Sequence, residues 1–246
     1  MRKARGIGSA LAVLVVLAHG VPSGSAEAKE PKHEPKQRIA PAGKSYAWNF
    51  QADTLGLAPA HAMVFGGNWQ VLEDSTGVAG SASVADSLAG GAAVPKARHL
   101  SQLETEDGVG DHYLTFTRPR LGDMDASVRF RIRSGEIDPS AGLMFQMDPK
   151  GTSGYLVRVS GKSGELAFHY LLLGKRRDVK FAKIPELTPG TWHTLAVQRR
   201  RSLLRVFYDG KETMMVRDDR FSDGTVGVWT EDDSRVDFAD LTTTAR

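Results

Sequence analysis

Apolar and polar residues alternate with a period of two along most of the chain after Ser45, and no stretch there shows the 3.6-residue repeat of an amphipathic helix. The clearest example is residues 125–133, in which Val128, Phe130 and Ile132 share one face and arginines occupy the other. This pattern predicts a β-strand with one buried and one hydrated face, and the arginine side chains at 129 and 131 should be exposed.

Similar segments recur at short intervals. Residues 141–147, 154–160 and 165–172 are separated by turn-like stretches and predict an antiparallel meander that continues from the first strand. Asp209-Gly210 is the strongest hairpin signal in the chain. Further strands are predicted at residues 46–50, 69–72, 112–117, 191–199, 202–208, 212–216, 225–230 and 235–242.

These segments define one large domain. About ten to twelve strands without intervening helices predict an all-β fold, a two-sheet antiparallel β-sandwich or jelly roll, over residues 45–246. Residues 75–91 are rich in Gly, Ser and Ala, which predicts a long loop or a poorly specified edge strand there.

The N-terminal region has the layout of a secretory signal peptide over residues 1–26: a basic start, an apolar run at 7–18 and a small-residue exit at Gly24-Ser25-Ala26. Twelve helical residues cover only about 18 Å of a roughly 30 Å hydrocarbon layer, so we expect cleavage and no remaining membrane span. Residues 27–44, rich in Lys, Glu and Pro, predict a disordered linker. The mature protein should be secreted or periplasmic.

Charge and composition narrow the function. The whole chain has a net charge of +3, but residues 45–246 contain 24 basic and 26 acidic residues. A neutral to slightly acidic domain argues against a nucleic-acid partner, because phosphate binding needs a basic surplus. The absence of cysteine excludes disulfide scaffolds, cysteine-ligated zinc sites and thiol nucleophiles.

Several short strings occur in an order that resembles a known superfamily. They include Gly67-Asn68-Trp69, DASVRFRIRSGEIDPSAGLMFQ, GYLVRVS, GTWHTLAVQ, FYDGKE and DGTVGVWTEDDSRVDFADL. Together, over residues 46–246, they resemble the concanavalin A-like lectin/glucanase superfamily, and within it the small secreted domains of 3-keto-disaccharide hydrolase type. The resemblance implies a curved two-sheet jelly roll and a carbohydrate ligand.

The sequence departs from that superfamily at two points. Gln146 stands where relatives often carry Arg. The paired acids that glucanases place on one strand, Glu-x-Asp-x-Glu or a variant, do not occur, and the acidic stretches at 104–107 and 136–138 lie in turns. The sequence therefore lacks the usual catalytic signature and leaves enzymatic activity uncertain.

Counting the alternation through the meander predicts a binding face. Val128, Phe145, Val157 and Phe168 should face the core, which leaves donors and an aromatic plane on the opposite face, the groups that a sugar site needs. The alternative is an ordinary hydrated face whose arginines pair with acids. The candidate ligand-binding residues are Arg131, Gln146, Arg158, His169, Trp229 (the stacking plane) and Glu231.

Other candidate groups have simpler interpretations. The acids Asp123/Asp125, Glu231/Asp232/Asp233 and Asp237/Asp240 could supply oxygen ligands to a structural calcium ion, although acidic turns are more often solvated. The histidines show no zinc spacing, and Trp48, Trp69 and Trp192 are expected in the core.

Three functions remain open from the sequence. The first is a secreted, non-catalytic carbohydrate-binding protein. The second is a glycoside hydrolase acting on 3-keto-disaccharide-type sugars, and the third is a structural cell-envelope domain. Fold alone does not choose among them. The identity of the sugar and the oligomeric state are left open.

The N-terminal pattern generates the first testable prediction. Protein isolated from its native compartment should begin near residue 27, because the small-residue exit at 24–26 is a cleavage site. Mass spectrometry of the intact protein measures this directly, and a chain that still begins at Met1 would contradict it.

Overall fold

The computed structural model describes residues 38–74, 96–105 and 110–246. Within these ranges no helix is long and apolar enough to cross a membrane. The strands are β1 (Ser45–Trp48), β2 (Ala62–Phe65), β3 (Trp69–Glu73), β4 (Arg98–Gln102), β5 (Asp111–Phe116), β6 (Met124–Ser134), β7 (Ser140–Met147), β8 (Gly154–Ser160), β9 (Glu165–Leu172), β10 (Lys175–Lys183), β11 (His193–Arg200), β12 (Leu203–Tyr208), β13 (Lys211–Arg217), β14 (Thr225–Glu231) and β15 (Arg235–Ala245).

The strands form two antiparallel sheets packed face to face. The eight-stranded sheet has the order β13-β12-β11-β6-β15-β4-β3, with β1 also paired to β15. The seven-stranded sheet has the order β10-β9-β8-β7-β14-β5-β2. The predicted all-β, two-sheet sandwich is confirmed.

The alternation along β6 is confirmed for its apolar face. Val128, Phe130 and Ile132 are all buried, because they point into the layer between the sheets. On the other face the arginines differ: the Arg129 side chain is 42% exposed, whereas Arg131 retains only 12%. The expectation that Arg131 is exposed is wrong, because carboxylates from two other segments close over it.

The predicted meander is correct for β7, β8 and β9, which pair in sequence order. The first strand does not belong to it. Both edges of β6 are already paired, with β11 on one side and β15 on the other. The chain therefore crosses from the eight-stranded to the seven-stranded sheet between β6 and β7, through a turn that includes Gly135 and Pro139.

Strands β2, β4 and β10 were not expected from the pattern. β10 is an edge strand, and seven of its nine residues are exposed. A strand with little buried surface does not need alternating apolar residues. The basic residues of β10 therefore gave no strand pattern in the sequence.

The described end of the expected linker, residues 38–44, is hydrogen-bonded to the sandwich. The Ala40 amide donates to the Arg120 carbonyl at 2.8 Å, and the Gly43 amide donates to the Ala245 carbonyl at 2.8 Å. The expected signal peptide, the rest of the linker and the expected loop at 75–91 lie outside the described residues.

Two neighbouring substitutions on β6 test the register. Phe130→Ala removes a fully buried ring and should lower the free energy of unfolding by about 3–5 kcal/mol. Arg129→Ala removes one partner of an exposed ion pair with Asp240 and should cost less than about 1 kcal/mol. Urea denaturation of both variants measures the difference, and equal losses would show that the two faces are wrongly assigned.

Candidate functional site

The outer face of the seven-stranded sheet is strongly concave. Arg176 on the edge strand β10 places its guanidinium 2.6 Å from Glu231 on β14. Three strands, β9, β8 and β7, lie between them in the sheet, which in a flat sheet would separate β10 and β14 by about 19 Å. An arginine side chain is much shorter than that, so the sheet must curl and bring its edge toward its centre.

Four of the six predicted site residues lie on this concave face. Arg158 and His169 belong to neighbouring strands and point to the same side. Arg158 Nε is 3.1 Å from Glu231 Oε2, and its guanidinium also pairs with Asp138. Trp229 lies two residues before Glu231, so the structure does bring these residues together.

The indole of Trp229 has no surface open to a ligand. It is fully buried in a small cluster with Met144, Leu156 and Leu171. The Arg176 guanidinium lies 5.3 Å from the centre of the ring. A ring enclosed in this way supports the sheet and does not offer the stacking plane that was expected.

Gly142 explains how the ring fits against the sheet. A Cβ atom at this position would come within 2.6 Å of Leu156 and 3.1 Å of the Trp229 ring. Glycine at the neighbouring strand position therefore leaves room for the close approach of the Leu156 side chain and the ring.

His169 is held in the neutral state on the same face. Burial, reinforced by the positive charge of Arg176, lowers the pKa of His169 to about 4. Its Nδ1 lies 3.0 Å from Asp178. The imidazole is therefore neutral at pH 7. Its Nδ1 has a partner, whereas its buried Nε2 has none among the described residues.

Gln146 lies at one end of the sandwich and not on the concave face. It adopts a left-handed backbone conformation, φ 51°, at a register shift between β7 and β14. Its side-chain amide donates to the carbonyls of Gly122 and Ser222 at 3.2 and 3.3 Å. A bulge adds one residue to a strand, so counting by twos gives the wrong face beyond it.

Arg131 lies on the outer face of the other sheet, in a cleft of about 400 Å³. The cleft is bounded by parts of β3, β4, β6 and β15, and mixes charged and apolar walls. It is thus in the volume range of small-molecule sites, about 300–1,000 Å³.

Arg131 organises the polar wall of this cleft. Its Nε donates to Asp237 at 2.6 Å and a terminal nitrogen donates to Asp74 at 2.7 Å. Burial alone would lower the pKa of Arg131, but these two carboxylates more than offset it and raise the pKa above its ordinary value. Ser101 adds a hydrogen bond to Asp237 at 2.6 Å. The two carboxylates are consequently fixed in position at the cleft.

His99 is the unsatisfied group of the cleft. Its ring nitrogens lie 3.6 Å from Asp237 and 3.8 Å from Asp74, beyond hydrogen-bond distance. Nδ1 is buried and has no hydrogen-bond partner among the described residues. Burial lowers the pKa of His99, although both carboxylates oppose the change. Because Nδ1 has almost no accessible surface, a ligand hydroxyl group binds this neutral nitrogen only if the imidazole turns toward the cleft.

Trp192 stands next to this wall and not in the core, so its predicted burial there is wrong. Its ring lies 4.5 Å from the Arg131 guanidinium and 4.9 Å from that of Arg129. His99 meets it edge-on at 6.4 Å. Trp192 precedes β11, which pairs with β6, and this pairing puts the indole above the two arginines.

Sequence reasoning missed most of this cleft. The sequence marks Asp237 only as a candidate calcium ligand, and it assigns His99 no role. Both side chains point away from the core, because Asp237 is next to the core residue Phe238 and His99 is next to the core residue Leu100. That signal was present, but without the sheet order nothing connected these positions to Arg131.

Five of the seven acids proposed as calcium ligands pair with arginine, whereas Asp232 and Asp233 accept hydrogen bonds from backbone amides. Asp123 binds Arg199, and Asp125 binds Arg246. Within residues 38–74, 96–105 and 110–246, no group of three or more His, Asp or Glu side chains is arranged to hold a metal ion. The structure therefore gives the predicted calcium ion no binding site in these ranges.

The fold was compared with known proteins. A carbohydrate-binding module, CBM66 from Bacillus subtilis, superposes with a TM-score of 0.58 at 16% identity, over 78% of this chain and 99% of the module. The exoplasmic/lumenal domain of VIP36, in a form bound to Ca²⁺ and Man3GlcNAc, gives a TM-score of 0.48 at 13% identity, over 60% of this chain and 78% of that domain. A Bacillus subtilis protein of unknown function with a galectin-like fold gives 0.46 at 12% identity, over 61% of this chain and 84% of that protein.

No protein-family model matches the sequence, and no curated protein matches it. The resemblance to 3-keto-disaccharide hydrolase-type domains therefore stays a prediction. The superposition on the carbohydrate-binding module shows that this chain shares its two-sheet β-sandwich fold.

Proposed function

We propose that this protein is an exported, non-catalytic carbohydrate-binding domain whose ligand occupies the cleft on the outer face of the eight-stranded sheet. The observation that carries the proposal is the unpartnered Nδ1 of His99 beside the fixed carboxylates of Asp74 and Asp237. Sugar hydroxyls both donate and accept hydrogen bonds, so they match a wall that combines carboxylates, guanidinium groups and a neutral imidazole.

The walls of the cleft suit a polar ligand, the class to which sugars belong. Trp192 stands behind Arg131 and His99 and stiffens both side chains, which lowers the entropy cost of binding. Arg133 and Arg235 also line the cleft, and the Arg133 side chain is 52% exposed. The similar fold of a protein described as a carbohydrate-binding module supports the same ligand class.

The glycoside hydrolase alternative has its own observation. Asp111 and Glu231 lie directly opposite each other on β5 and β14, and burial raises the pKa of Asp111, as expected of a general acid. Against it, Arg176 binds both carboxylates, at 3.2 and 2.6 Å. Release of sugar from 3-keto or ordinary disaccharides that disappears in Asp111→Asn would favour the hydrolase.

Two buried histidines provide a matched test of the binding site. His99→Ala should weaken binding of a sugar identified on a glycan array by about 1–3 kcal/mol, because it removes a polar partner in a desolvated site. His169→Ala alters a similarly buried histidine on the other sheet and should leave affinity unchanged. Isothermal titration calorimetry measures both, after thermal unfolding confirms that each variant is folded.

The reverse pattern of effects would contradict the assignment of the cleft as the sugar-binding site. If His169→Ala or Arg158→Ala weakened binding while His99→Ala did not, the ligand would occupy the concave face of the seven-stranded sheet. Absence of any glycan ligand together with absence of hydrolysis would favour the structural-domain alternative.

Binding should also depend on pH. Burial keeps His99 neutral below the ordinary histidine pKa of 6.5, and its neutral Nδ1 is the proposed hydrogen-bonding group. Affinity should therefore be constant above neutral pH and fall on acidification, once the imidazole takes up a proton. Titrations across this range check the prediction, and an equally steep fall in His99→Gln would assign the effect to another group.

A further inference from the structure

The tip of the β9–β10 hairpin exposes two leucines. Leu172 is 49% exposed and Leu173 is 80% exposed. Leu172 pairs with Lys175, so Leu173 and Gly174 form a two-residue turn, with φ angles of 52° and 76°. Such turns favour Asn or Gly at the first position, because a bulky side chain is strained at positive φ. Leucine at position 173 is therefore unfavourable for two reasons: its backbone conformation is strained, and its apolar side chain is exposed to water.

The turn is braced against the neighbouring loop. The Leu173 amide donates to Ser153 Oγ at 3.2 Å, and the Gly174 amide donates to the Thr152 carbonyl at 2.8 Å. These bonds fix the backbone while the leucine side chain at 173 stays in solvent. The hairpin therefore presents its apolar tip in a defined position.

The strand that follows the tip is strongly basic. β10 contains five basic residues and one acid, although the domain as a whole has a slight acidic excess. Arg176 turns inward to Glu231, but Lys175 and Arg177 are exposed beside the leucines. An apolar tip next to exposed bases combines the two forces that hold proteins on anionic lipid surfaces.

We propose that the β9–β10 hairpin is a docking surface for an anionic lipid bilayer. Leu172 and Leu173 enter the boundary between headgroups and acyl chains, and Lys175 and Arg177 bind lipid phosphates. The cleft belongs to the other sheet, so a domain docked in this way keeps the cleft accessible. This goes beyond sugar binding and does not depend on it.

Two other occupants fit the tip less well. A neutral sugar chain needs several hydrogen-bonding groups held in fixed positions, whereas the two tip residues are aliphatic. A second copy of the chain could pair along β10, but antiparallel pairing would bring two basic strands into register, and like charges on facing strands destabilise a sheet.

The absence of cysteine allows a local test in the full chain. A solvatochromic fluorophore attached to Leu173→Cys should shift its emission to the blue on vesicles of equimolar phosphatidylglycerol and phosphatidylcholine, and not on phosphatidylcholine alone. The same fluorophore on Leu57→Cys, a position where leucine is 60% exposed elsewhere, should not shift. A label at the tip reports its own insertion, so binding through the apolar N-terminal segment does not imitate the result.

A charge test separates lipid docking from general adhesion. In the labelled protein, Lys175→Gln with Arg177→Gln should weaken vesicle binding at low salt by about fivefold for each charge removed. Lys44→Gln with Lys96→Gln removes two exposed bases elsewhere and should have little effect. Equal effects of the two pairs would overturn the assignment of the bases.

Several results would overturn the proposal. They are an unshifted label at 173 on anionic vesicles, and an equal shift on phosphatidylcholine alone. A shift caused by heparin without lipid would instead assign the tip to an acidic polysaccharide. A shift that grows with protein concentration without lipid would assign it to a second copy of the chain.

Discussion

The layer between the two sheets contains the rings of Phe130, Phe145, Phe168 and Phe238, each of them no more than 1% exposed. Those rings come from four different strands of both sheets, so their burial fixes the parity of each strand. Once one face of a strand is committed to this layer, its alternate residues must point outward. The polar chemistry of the molecule is therefore distributed over two outer faces.

Both outer faces contain arginine–carboxylate ion pairs, but these pairs have different effects on the two faces. On the concave face, Arg158 and Arg176 pair with Glu231. Arg176 lies over Trp229, and the ring has no contact with solvent. On the other sheet, Arg131 binds two carboxylates at the side of an open cleft and leaves a histidine nitrogen without a partner. A buried polar atom without a partner costs free energy, and the concave face also contains such an atom, His169 Nε2. The second arrangement differs because its histidine lines a cleft of about 400 Å³, which has room for a ligand.

The edges of the sandwich show a further division. β10 closes one edge of the seven-stranded sheet with basic residues, which discourages pairing with another strand. Its hairpin nevertheless carries a leucine at a positive φ and in solvent. Protection of the sheet edge explains the lysines of β10, but it does not explain an exposed leucine at position 173.

By itself, the sequence determined what is local: the all-β class, most of the strands and the core face of β6. Each follows from a side-chain period of two and from turn residues, both of which act within a few positions of the chain. The shared face of Arg158 and His169 also followed, since neighbouring strands of a meander share a register. Trp229 and Glu231 join them only because β14 returns to pair with β7.

Only the tertiary structure decided the rest. Arg131 and Asp237 form an ion pair although they are 106 positions apart in the sequence. This contact depends on which strands pair with each other in the sheet, and no local sequence pattern determines that. The bulge at Gln146 reversed a parity count in the same way, because a register shift is set by the partner strand. An outward-facing residue can be fully covered, as Trp229 is, or can line a cleft, as His99 does. The outcome depends on the curvature of its sheet and on which segments cover it.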